Sequence, residues 1–413
     1  MTNAANKAFY SERALLLTLA AIQFTHVLDF MIMMPLGPML MRELGITTHE
    51  FGLLVASYSF SAALSGLLAA TFVDRFERKR LLLIMFVLFG LATLACGLAP
   101  GYASLMVARG MAGAFGGVLG ALVQTIIGDT IPFARRAGAS GIVSAAFSFS
   151  TVAGVPLSLW MASHFQWRAP FIFIVVLVAI FIVIGWRVLP ELRHHLSREK
   201  LAHPFSAMFA VMRDGNHIRA MALSAMIIFS GFTVIPYITV YAVNNIAISQ
   251  HDIAYIYLVG GAATLISARF IGHWADVRGK VKVYRLIAFA AILPLLAVTQ
   301  VQSATLGWWL VCTTFFFVLL SGRFIPAMAI ITSAAQPKLR GTFMSLNSTV
   351  QSLAMGLAAT LSGFIISQDG NGQIIGYQKV GYVAIAANLL AIWYVSRIVM
   401  HDEYPNLPDV TPK

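Results

Sequence analysis

Charged residues are scarce in this chain, and their scarcity decides its class. Asp, Glu, Lys and Arg make up 11% of the 413 residues, against about 25% in soluble domains. Uncharged runs such as 81–106 and 169–186 are too long to be absorbed by a larger soluble core. Each can cross a hydrocarbon layer about 30 Å thick as a helix, which satisfies its own backbone groups in lipid. The composition therefore predicts an all-α membrane protein.

Cysteine is nearly absent, and enzyme motifs are absent altogether. Cys96 and Cys312 lie in or at the ends of apolar runs and show no disulfide or metal-ligand spacing. The sequence contains no HExxH, GxSxG or P-loop motif. We therefore expect a protein that is not an enzyme or an ATP-driven pump and that uses neither a cofactor nor a metal ion.

The apolar runs predict twelve transmembrane helices. We place these spans at residues 14–41, 51–73, 80–99, 102–126, 138–163, 168–189, 218–244, 252–275, 281–300, 304–332, 341–367 and 377–399. A polar segment between the sixth and seventh spans predicts a cytoplasmic linker, in which 205–212 has the composition of a short surface helix. The predicted regions are an N-terminal tail at 1–13, a six-helix bundle at 14–189, the linker at 190–217, a second six-helix bundle at 218–399, and a C-terminal tail at 400–413.

Lysine and arginine are distributed unequally between the two sides of these spans. With the N-terminus in the cytoplasm, 22 of the 28 basic residues fall in cytoplasmic segments, three fall outside and three fall within spans. The positive-inside rule therefore predicts that both termini are cytoplasmic. We expect an integral protein of a bacterial inner membrane. The asymmetry also accounts for the net charge of +12, so that charge does not indicate nucleic-acid binding.

Residues 47–80 recur without gaps 202 positions later in the chain. Thr47–Glu50 returns as Ser249–Asp252, and the turn Asp74–Lys79 returns as Asp276–Val281. Such a repeat predicts two pseudo-symmetric halves, and membrane proteins built this way usually carry a solute through the seam between them. Within the repeat, Thr47 with Glu50 and Ser249 with Asp252 predict N-terminal caps for spans 2 and 8.

The repeated turn carries a resemblance to a known family. Residues 70–80 resemble the loop 2–3 signature of the major facilitator superfamily, and residues 272–280 resemble it more closely. Ala70 and Glu77 stand where the family usually has glycine, whereas the acid and the following bases are present. In span 4, 109–113 is similar to the Arg-x-x-x-Gly signature of the family.

Other segments are similar to the drug–proton antiporter and arabinose-efflux-permease-like branch. Gly154–Leu157 in span 5 is similar to the antiporter signature, although Val155 separates its glycine from its proline. Two further segments similar to that branch are Pro35–Pro38 and Trp167–Phe171.

The resemblance implies a twelve-helix monomer whose central cavity, lined by spans 1, 4, 7 and 10, opens to each side in turn as the halves rock. It also implies gating roles, on the cytoplasmic face and in span 5, for Asp74, Arg75, Arg78, Asp129, Asp276, Arg278, Gly154 and Pro156.

One carboxylate stands apart from all the others. Fifteen of the sixteen acidic residues lie in tails, in loops or at span ends, and only Asp29 lies well inside a span. A charge at mid-membrane costs roughly 2.5–3.5 kcal/mol on insertion scales, so an intramembrane acid is a functional candidate by default. We predict that Asp29 carries a proton; a static ion pair with an arginine is the alternative.

Asp29 has two candidate partners, His26 and Arg109. Gln23 and His26 are spaced from it by six and three residues, which puts all three on one side of span 1. His26 is predicted to hydrogen-bond to Asp29, unless it merely satisfies a neighbouring carbonyl. Arg109 is the best ionic partner, because the family pattern implies that it faces the cavity. Making and breaking this pair would couple proton binding to movement of the halves.

A second group of residues is predicted to contact the transported molecule. Spans 4 and 7 contain aromatics that are able to stack on a substrate, although a plain packing stripe explains them equally well. Pro236 corresponds to Pro35 in the other half, so we expect both spans to kink there. The predicted substrate-binding residues are Gln23, Phe115, Phe229, Phe232, Tyr237, Tyr241 and Arg323.

Two functions remain open from the sequence. The first is a proton-coupled exporter of a small amphipathic or polar molecule, in which Asp29 carries the proton. The alternative is uptake or exchange of an anionic metabolite or lysolipid, since the intramembrane arginines outnumber the single aspartate. In both hypotheses the expected partners are a small-molecule substrate, protons and the lipid bilayer, with no nucleic acid.

Overall fold

A computed structural model describes residues 12–192, 204–336 and 339–400, and helices dominate all three ranges. The N-terminal half contains eight α-helices within the described residues. They are α1 (Glu12–Ile32), α2 (Gly37–Leu44), α3 (Thr48–Phe72), α4 (Arg78–Leu98), α5 (Tyr102–Thr130), α6 (Phe133–Phe149), α7 (Val155–His164) and α8 (Ala169–Val188).

A connecting helix and the C-terminal half follow. These elements are α9 (Pro204–Arg213), α10 (Gly215–Phe232), α11 (Ile235–Asn244), α12 (Ile253–Arg278), α13 (Lys280–Ala290), α14 (Ile292–Gln300), α15 (Leu306–Ser333), α16 (Arg340–Ile365) and α17 (Tyr377–Tyr394). Between α16 and α17, the strands β1 (Ser367–Gln368) and β2 (Ile374–Ile375) pair in antiparallel register.

The predicted all-α fold with twelve spans is confirmed. Twelve segments among the described residues are long and apolar enough to cross a membrane. Large apolar side chains remain exposed on them, including Phe270 at 70%, Leu293 at 75% and Phe364 at 69%. A surface of this kind is unfavourable in water and suits a lipid environment. The segment 205–212, predicted to form a short helix, is helical and lies within α9.

Several spans that the sequence presents as single helices are interrupted at prolines. Span 1 breaks between α1 and α2 at Pro35, and span 7 breaks between α10 and α11 just before Pro236, which confirms both predicted kinks. Span 9 breaks after Ala290, the residue whose carbonyl would accept a bond from the missing N–H of Pro294. Each break follows from the loss of one backbone donor.

The two copies of the repeat begin their helices differently. Thr47 and Glu50 form the predicted capping box, with Glu50 N donating to Thr47 Oγ1 at 3.2 Å and Thr47 N donating to Glu50 Oε2 at 2.8 Å. The matching prediction for span 8 is wrong. Asp252 N donates to Ser249 Oγ at 3.3 Å, but residues 250–252 form a turn and α12 starts at Ile253. The second pair therefore closes a turn ahead of the helix.

The two halves meet most closely at one face of the molecule, here called the Thr48 face. Two recorded hydrogen bonds between described residues cross the seam there: Thr48 Oγ1 donates to Ile366 O at 2.8 Å, and Tyr237 Oη donates to Thr48 O at 2.7 Å. A Cβ on Gly52 would lie 2.5 Å from Tyr237 Oη, so glycine is what permits this approach. The Thr48 face is closed.

The opposite face carries Arg78, Asp129 and Asp214 and is called the Arg78 face. Spans 2 and 11 pack together along most of their length. In contrast, α12 of span 8 packs against α7 but hardly against α6, which is the half of span 5 nearer the Arg78 face. The two bundles therefore separate between spans 5 and 8 toward the Arg78 face.

Candidate functional site

An ion pair is enclosed within the N-terminal bundle. Arg109 Nη1 of α5 donates to Asp29 Oδ2 of α1 at 2.8 Å and to the backbone oxygen of Asp29 at 3.2 Å. Both residues are 0% exposed. Losing one partner of such a buried pair typically costs about 3–5 kcal/mol, because the other charge is left uncompensated. The pair therefore joins spans 1 and 4 in this conformation.

Tyr58 of α3 covers the guanidinium of this pair. The Cζ atom of Arg109 lies 4.6 Å from the centroid of the Tyr58 ring, a cation–π geometry. Gly113 lies one turn after Arg109 on the same face of α5, and a Cβ there would overlap the backbone of Tyr58. The Arg-x-x-x-Gly spacing thus places the charge and the close helix contact side by side. Sequence reasoning missed Tyr58, which carries no motif.

Three polar side chains on one face of span 1 have a feature in common. Gln23 Oε1, His26 Nε2 and Asp29 Oδ1 are all buried and have no hydrogen-bond partner among the described residues. No hydrogen bond joins His26 to Asp29 within this part of the chain. Each unpaired buried polar atom costs about 1–3 kcal/mol, and such groups in a native structure call for a specific explanation. The stripe runs from the ion pair toward the Arg78 face.

Arg323 lies inside the C-terminal bundle rather than at the seam. It is 1% exposed, and its Nη2 donates to Ile227 O and to Ser230 Oγ, each at 3.2 Å. Its Nη1 donates to Asn388 Oδ1. No carboxylate among the described residues pairs with it. Asn388, an amide in the middle of span 12, is a partner that its polarity within an apolar run makes visible in the sequence.

The predicted substrate-binding aromatics fall into two groups. Phe115, Phe229 and Phe232 are half-buried, and the Phe232 ring lies 6.0 Å from Phe30 of α1 across the seam. Tyr237 is 0% exposed and bonds to Thr48 in the closed face.

The remaining aromatic of the predicted set, Tyr241, is also enclosed by protein. It is 1% exposed, and its hydroxyl donates to Val301 O at 2.8 Å. In this conformation Phe232 meets Phe30 across the seam, whereas both tyrosines are enclosed by protein.

Span 5 contains a π-helical turn at the predicted gating motif. The turn covers Ser150–Gly154, and Val155 N donates to Ser150 O, five residues back. Pro156 lies at the start of α7 and has no N–H to donate to Val152, which explains why regular α-helix fails here. A Cβ on Gly154 would lie 2.7 Å from Leu28, so glycine keeps spans 1 and 5 in close contact.

The predicted gating charges form one recorded ion pair among the described side chains. Arg78 Nε lies 3.1 Å from Asp129 Oδ2 within the N-terminal bundle. Arg75, Asp276 and Arg278 are exposed and make no recorded ion pair in the described part of the chain. The side chain of Asp74 lies outside the described residues.

Comparison with known families identifies the class of protein. The sequence pattern of the Major Facilitator Superfamily matches residues 19–359 and, in a second match, residues 220–413. The chain therefore belongs to the major facilitator superfamily. It is an integral membrane protein and a transporter of small molecules.

The relatives agree with an efflux branch of this family. The chain is 23% identical to the MFS-type transporter YceJ of Bacillus subtilis (strain 168), over 88% of this chain and 92% of YceJ. It is 24% identical to Multidrug resistance protein 2 of the same organism, over 87% of this chain and 90% of that protein.

A solved structure shows the same fold. A bacterial homolog to the human lysosomal transporter Spinster, in an inward-facing and occupied conformation, superposes with a TM-score of 0.71 at 16% identity. The match covers 93% of this chain and 96% of that one.

Proposed function

We propose that this chain is a proton-coupled exporter of a small amphipathic or polar molecule, in which Asp29 carries the proton and Arg109 responds to it. The observation that carries the proposal is the buried pair of Asp29 and Arg109. Asp29 Oδ2 bonds to Arg109 at 2.8 Å, and Oδ1 has no partner among the described residues. Oδ1 is thus an available position for a proton.

Protonation would turn this pair into a switch. A neutral Asp29 leaves the buried guanidinium of Arg109 uncompensated, which favours a second arrangement of the helices in which that charge is better solvated. A membrane potential of about 100 mV with a pH difference of about one unit supplies about 3.7 kcal/mol per proton. This energy is comparable to the cost of about 3–5 kcal/mol for breaking a buried pair.

A path for the proton is also available in span 1. His26 and Gln23 continue the face of Asp29 toward the Arg78 face, and both carry unpaired buried polar atoms. We propose His26 as the group that exchanges protons between Asp29 and the opening between spans 5 and 8. Imidazole suits this role because one ring nitrogen can accept a proton while the other donates one.

The orientation and the direction of transport complete the proposal. The Arg78 face is cytoplasmic, because most lysines and arginines outside the spans fall on that side. Both termini are then cytoplasmic, and the monomer lies in a bacterial inner membrane. The similarity to Multidrug resistance protein 2 supports export, because resistance to many drugs is what removal of those drugs from the cell would produce. The Gly154–Pro156 segment, which resembles the antiporter signature, also supports export.

The test uses everted membrane vesicles with an internal acid gradient and ethidium as the probe, followed by other amphipathic dyes. We expect dye entry into vesicles to be accompanied by proton release in the parent protein and to be lost in Asp29→Asn. Glu43→Gln serves as the matched control, because Glu43 is exposed at the end of α2 and has no recorded bond. Full pH-driven transport by Asp29→Asn would contradict the proposal.

A second candidate is uptake or exchange of an anionic metabolite or lysolipid. The observation in its favour is Arg323, a buried cation that no described carboxylate neutralises. Its enclosure by α10 and α17 requires that this bundle rearrange before a ligand reaches it. Transport that persists without a pH gradient and requires a counter-substrate would favour this candidate over the exporter.

A further inference from the structure

An apolar groove opens on the outer surface of the N-terminal bundle, between spans 1, 5 and 6. Its volume is about 610 Å³, and every side chain that lines it is apolar. Small residues give the groove its depth, namely Ala20, Ala145, Ala153 and Gly154, while Phe149 and Phe173 form walls. The volume is within the usual range for a site that holds a small ligand, roughly 300–1,000 Å³.

The position of the groove restricts what can occupy it. Ala20 lies near the middle of the segment Glu12–Ile32, Ala153 near the middle of Gly138–His164, and Phe173 within Ala169–Val188. The groove therefore crosses the centre of the hydrocarbon layer. It is also continuous with the lipid-facing surface, since Phe149 is 61% exposed and Leu157 at its edge is 44% exposed.

We propose that this groove binds one acyl chain of a membrane phospholipid. Because all lining side chains are apolar, the groove offers nothing to a headgroup or to a polar solute. Lipid tails are as apolar as the groove itself, so binding depends on close packing and not on the hydrophobic effect. An acyl chain in the groove makes dispersion contacts with the lining side chains, and an empty groove would lack these contacts.

The bound chain would support the kinked form of span 5. The base of the groove is formed by Gly154 and Ala153, which end the π-helical turn. On its other side Gly154 faces Leu28, the neighbour of Asp29 in α1. A chain in the groove therefore packs against the segment that joins spans 1 and 5. This proposal requires the membrane location but does not depend on proton coupling.

The test compares two exposed alanines that lie on opposite halves. Ala145→Phe fills the groove, whereas Ala386→Phe adds the same ring to an exposed position in the middle of α17. Each variant is placed in phosphatidylcholine nanodiscs that contain a small fraction of lipid with a photoactivatable diazirine in one acyl chain. Adducts are then mapped by mass spectrometry of peptides.

In the parent protein we expect adducts to concentrate in residues 145–157 and 173–181. Ala145→Phe should lower their yield about fivefold, which corresponds to the loss of roughly ten dispersion contacts. Ala386→Phe should leave it unchanged. Replacing phosphatidylcholine by phosphatidylglycerol should also leave the yield unchanged, because the groove contacts only the chain.

Three outcomes would overturn the proposal. They are adducts spread evenly over all lipid-facing helices, unchanged labelling of the groove in Ala145→Phe, and a strong dependence on the headgroup. Thermal unfolding of each variant in detergent checks that it folds. If Ala145→Phe does not fold, Ala20→Leu replaces it, because this substitution fills the same groove from α1 with a smaller side chain. The same three labelling outcomes would then overturn the proposal.

Discussion

At the scale of single residues, glycine matters as much as charge for the candidate site. Arg109 is held at Asp29 under the ring of Tyr58, and this arrangement requires α3 and α5 to approach closely. Gly113 permits the approach because a side chain there would occupy the space of the Tyr58 backbone. A buried charge pair and a close backbone contact are therefore built by residues four positions apart.

Two glycines of α5 give a matched prediction for stability. Gly113→Ala should lower the free energy of unfolding by about 1–3 kcal/mol, because the added methyl group forces apart two packed helices. Gly110→Ala should change it little or raise it by up to about 1 kcal/mol, since Ser61 Oγ is 3.4 Å from the new Cβ and alanine favours helix. Thermal unfolding of both variants in detergent measures the difference. Equal effects of the two substitutions on stability would show that contact with the Tyr58 backbone does not restrict position 113 to glycine.

Asp214 is the residue at which an effect of pH on stability is expected. Its carboxylate accepts hydrogen bonds from Asn216 N at 2.7 Å, His217 N at 3.3 Å and Gln336 Nε2 at 2.7 Å. Partial burial raises the pKa of Asp214, but these bonds and the nearby His217 together lower it more, so the pKa lies below its ordinary value. Asp214 therefore stabilises the fold above the unfolded-state pKa, and this contribution is lost as pH falls through the folded-state pKa.

Asp214→Asn should accordingly be less stable than the parent at pH 7, by about 0.3–1 kcal/mol, the usual value of a negative charge at a helix N-terminus, because asparagine still caps the helix but carries no charge. The difference should shrink as the pH falls below about 3.9, the ordinary pKa of aspartate. Thermal unfolding of both proteins from pH 7 to pH 3 measures this, with Glu43→Gln as a control that follows the parent. Parallel curves for Asp214→Asn and the parent would contradict the expectation.

At the scale of elements, prolines break the spans and glycines close the seam. Spans 1, 5, 7 and 9 all change helix geometry beside a proline, whereas α15 remains a single helix although it contains Pro326. At the Thr48 face, Gly52 of α3 lets Tyr237 and α16 of the other half pack directly on the helix backbone. The closed face thus depends on the absence of a side chain at Gly52 of α3.

Gly52→Ala should shift the protein toward opening at the Thr48 face. Its Cβ would lie 2.5 Å from Tyr237 Oη and 2.8 Å from Ala359 O, which penalises closure by about 1.4 kcal/mol, or about tenfold in population. A cysteine at Val240, which is buried in the same face, reports opening through its rate of reaction with a maleimide. Cys96 and Cys312 are replaced by serine for this measurement.

Gly66→Ala on the same helix is the control, because its Cβ would meet nothing nearer than Thr349 Oγ1 at 3.9 Å. We expect its labelling rate to match that of the parent. An unchanged rate in Gly52→Ala would show that this glycine does not control closure.

At the scale of the whole molecule, the two bundles are in contact at the Thr48 face and along spans 2 and 11, and they separate between spans 5 and 8 toward the Arg78 face. The N-terminal bundle encloses Arg109 with a carboxylate partner, whereas Arg323, enclosed in the C-terminal bundle, has no such partner among the described residues. The halves are therefore similar in fold but unequal in chemistry. This inequality suits a transporter in which one half carries the ion and the seam carries the solute.

The proposed orientation predicts which face an external reagent reaches. A cysteine at Asn371, exposed in the β1–β2 hairpin, should react with a membrane-impermeant maleimide in intact cells. A cysteine at Arg213, exposed at the end of α9, should react only after the membrane is permeabilised. The opposite pattern would reverse the orientation and, with it, the proposed direction of transport.

The sequence by itself determined the class of protein, the number of spans, the two-fold repeat and the position of the one acidic residue that lies well inside a span. These features are encoded locally, because hydropathy and charge are read along the chain without knowledge of how helices rotate about their axes. The proline breaks belong to the same category, since each follows from one missing backbone donor.

Only the tertiary structure decided which side chains meet. The pairing of Asp29 with Arg109, the enclosure of Arg323 beside Asn388 and the bond from Tyr237 to Thr48 all depend on how each helix is rotated. In a soluble protein an apolar stripe reveals that rotation. Here lipid and protein interior are both apolar, so a span is apolar on all sides and its sequence does not show which side faces the bundle.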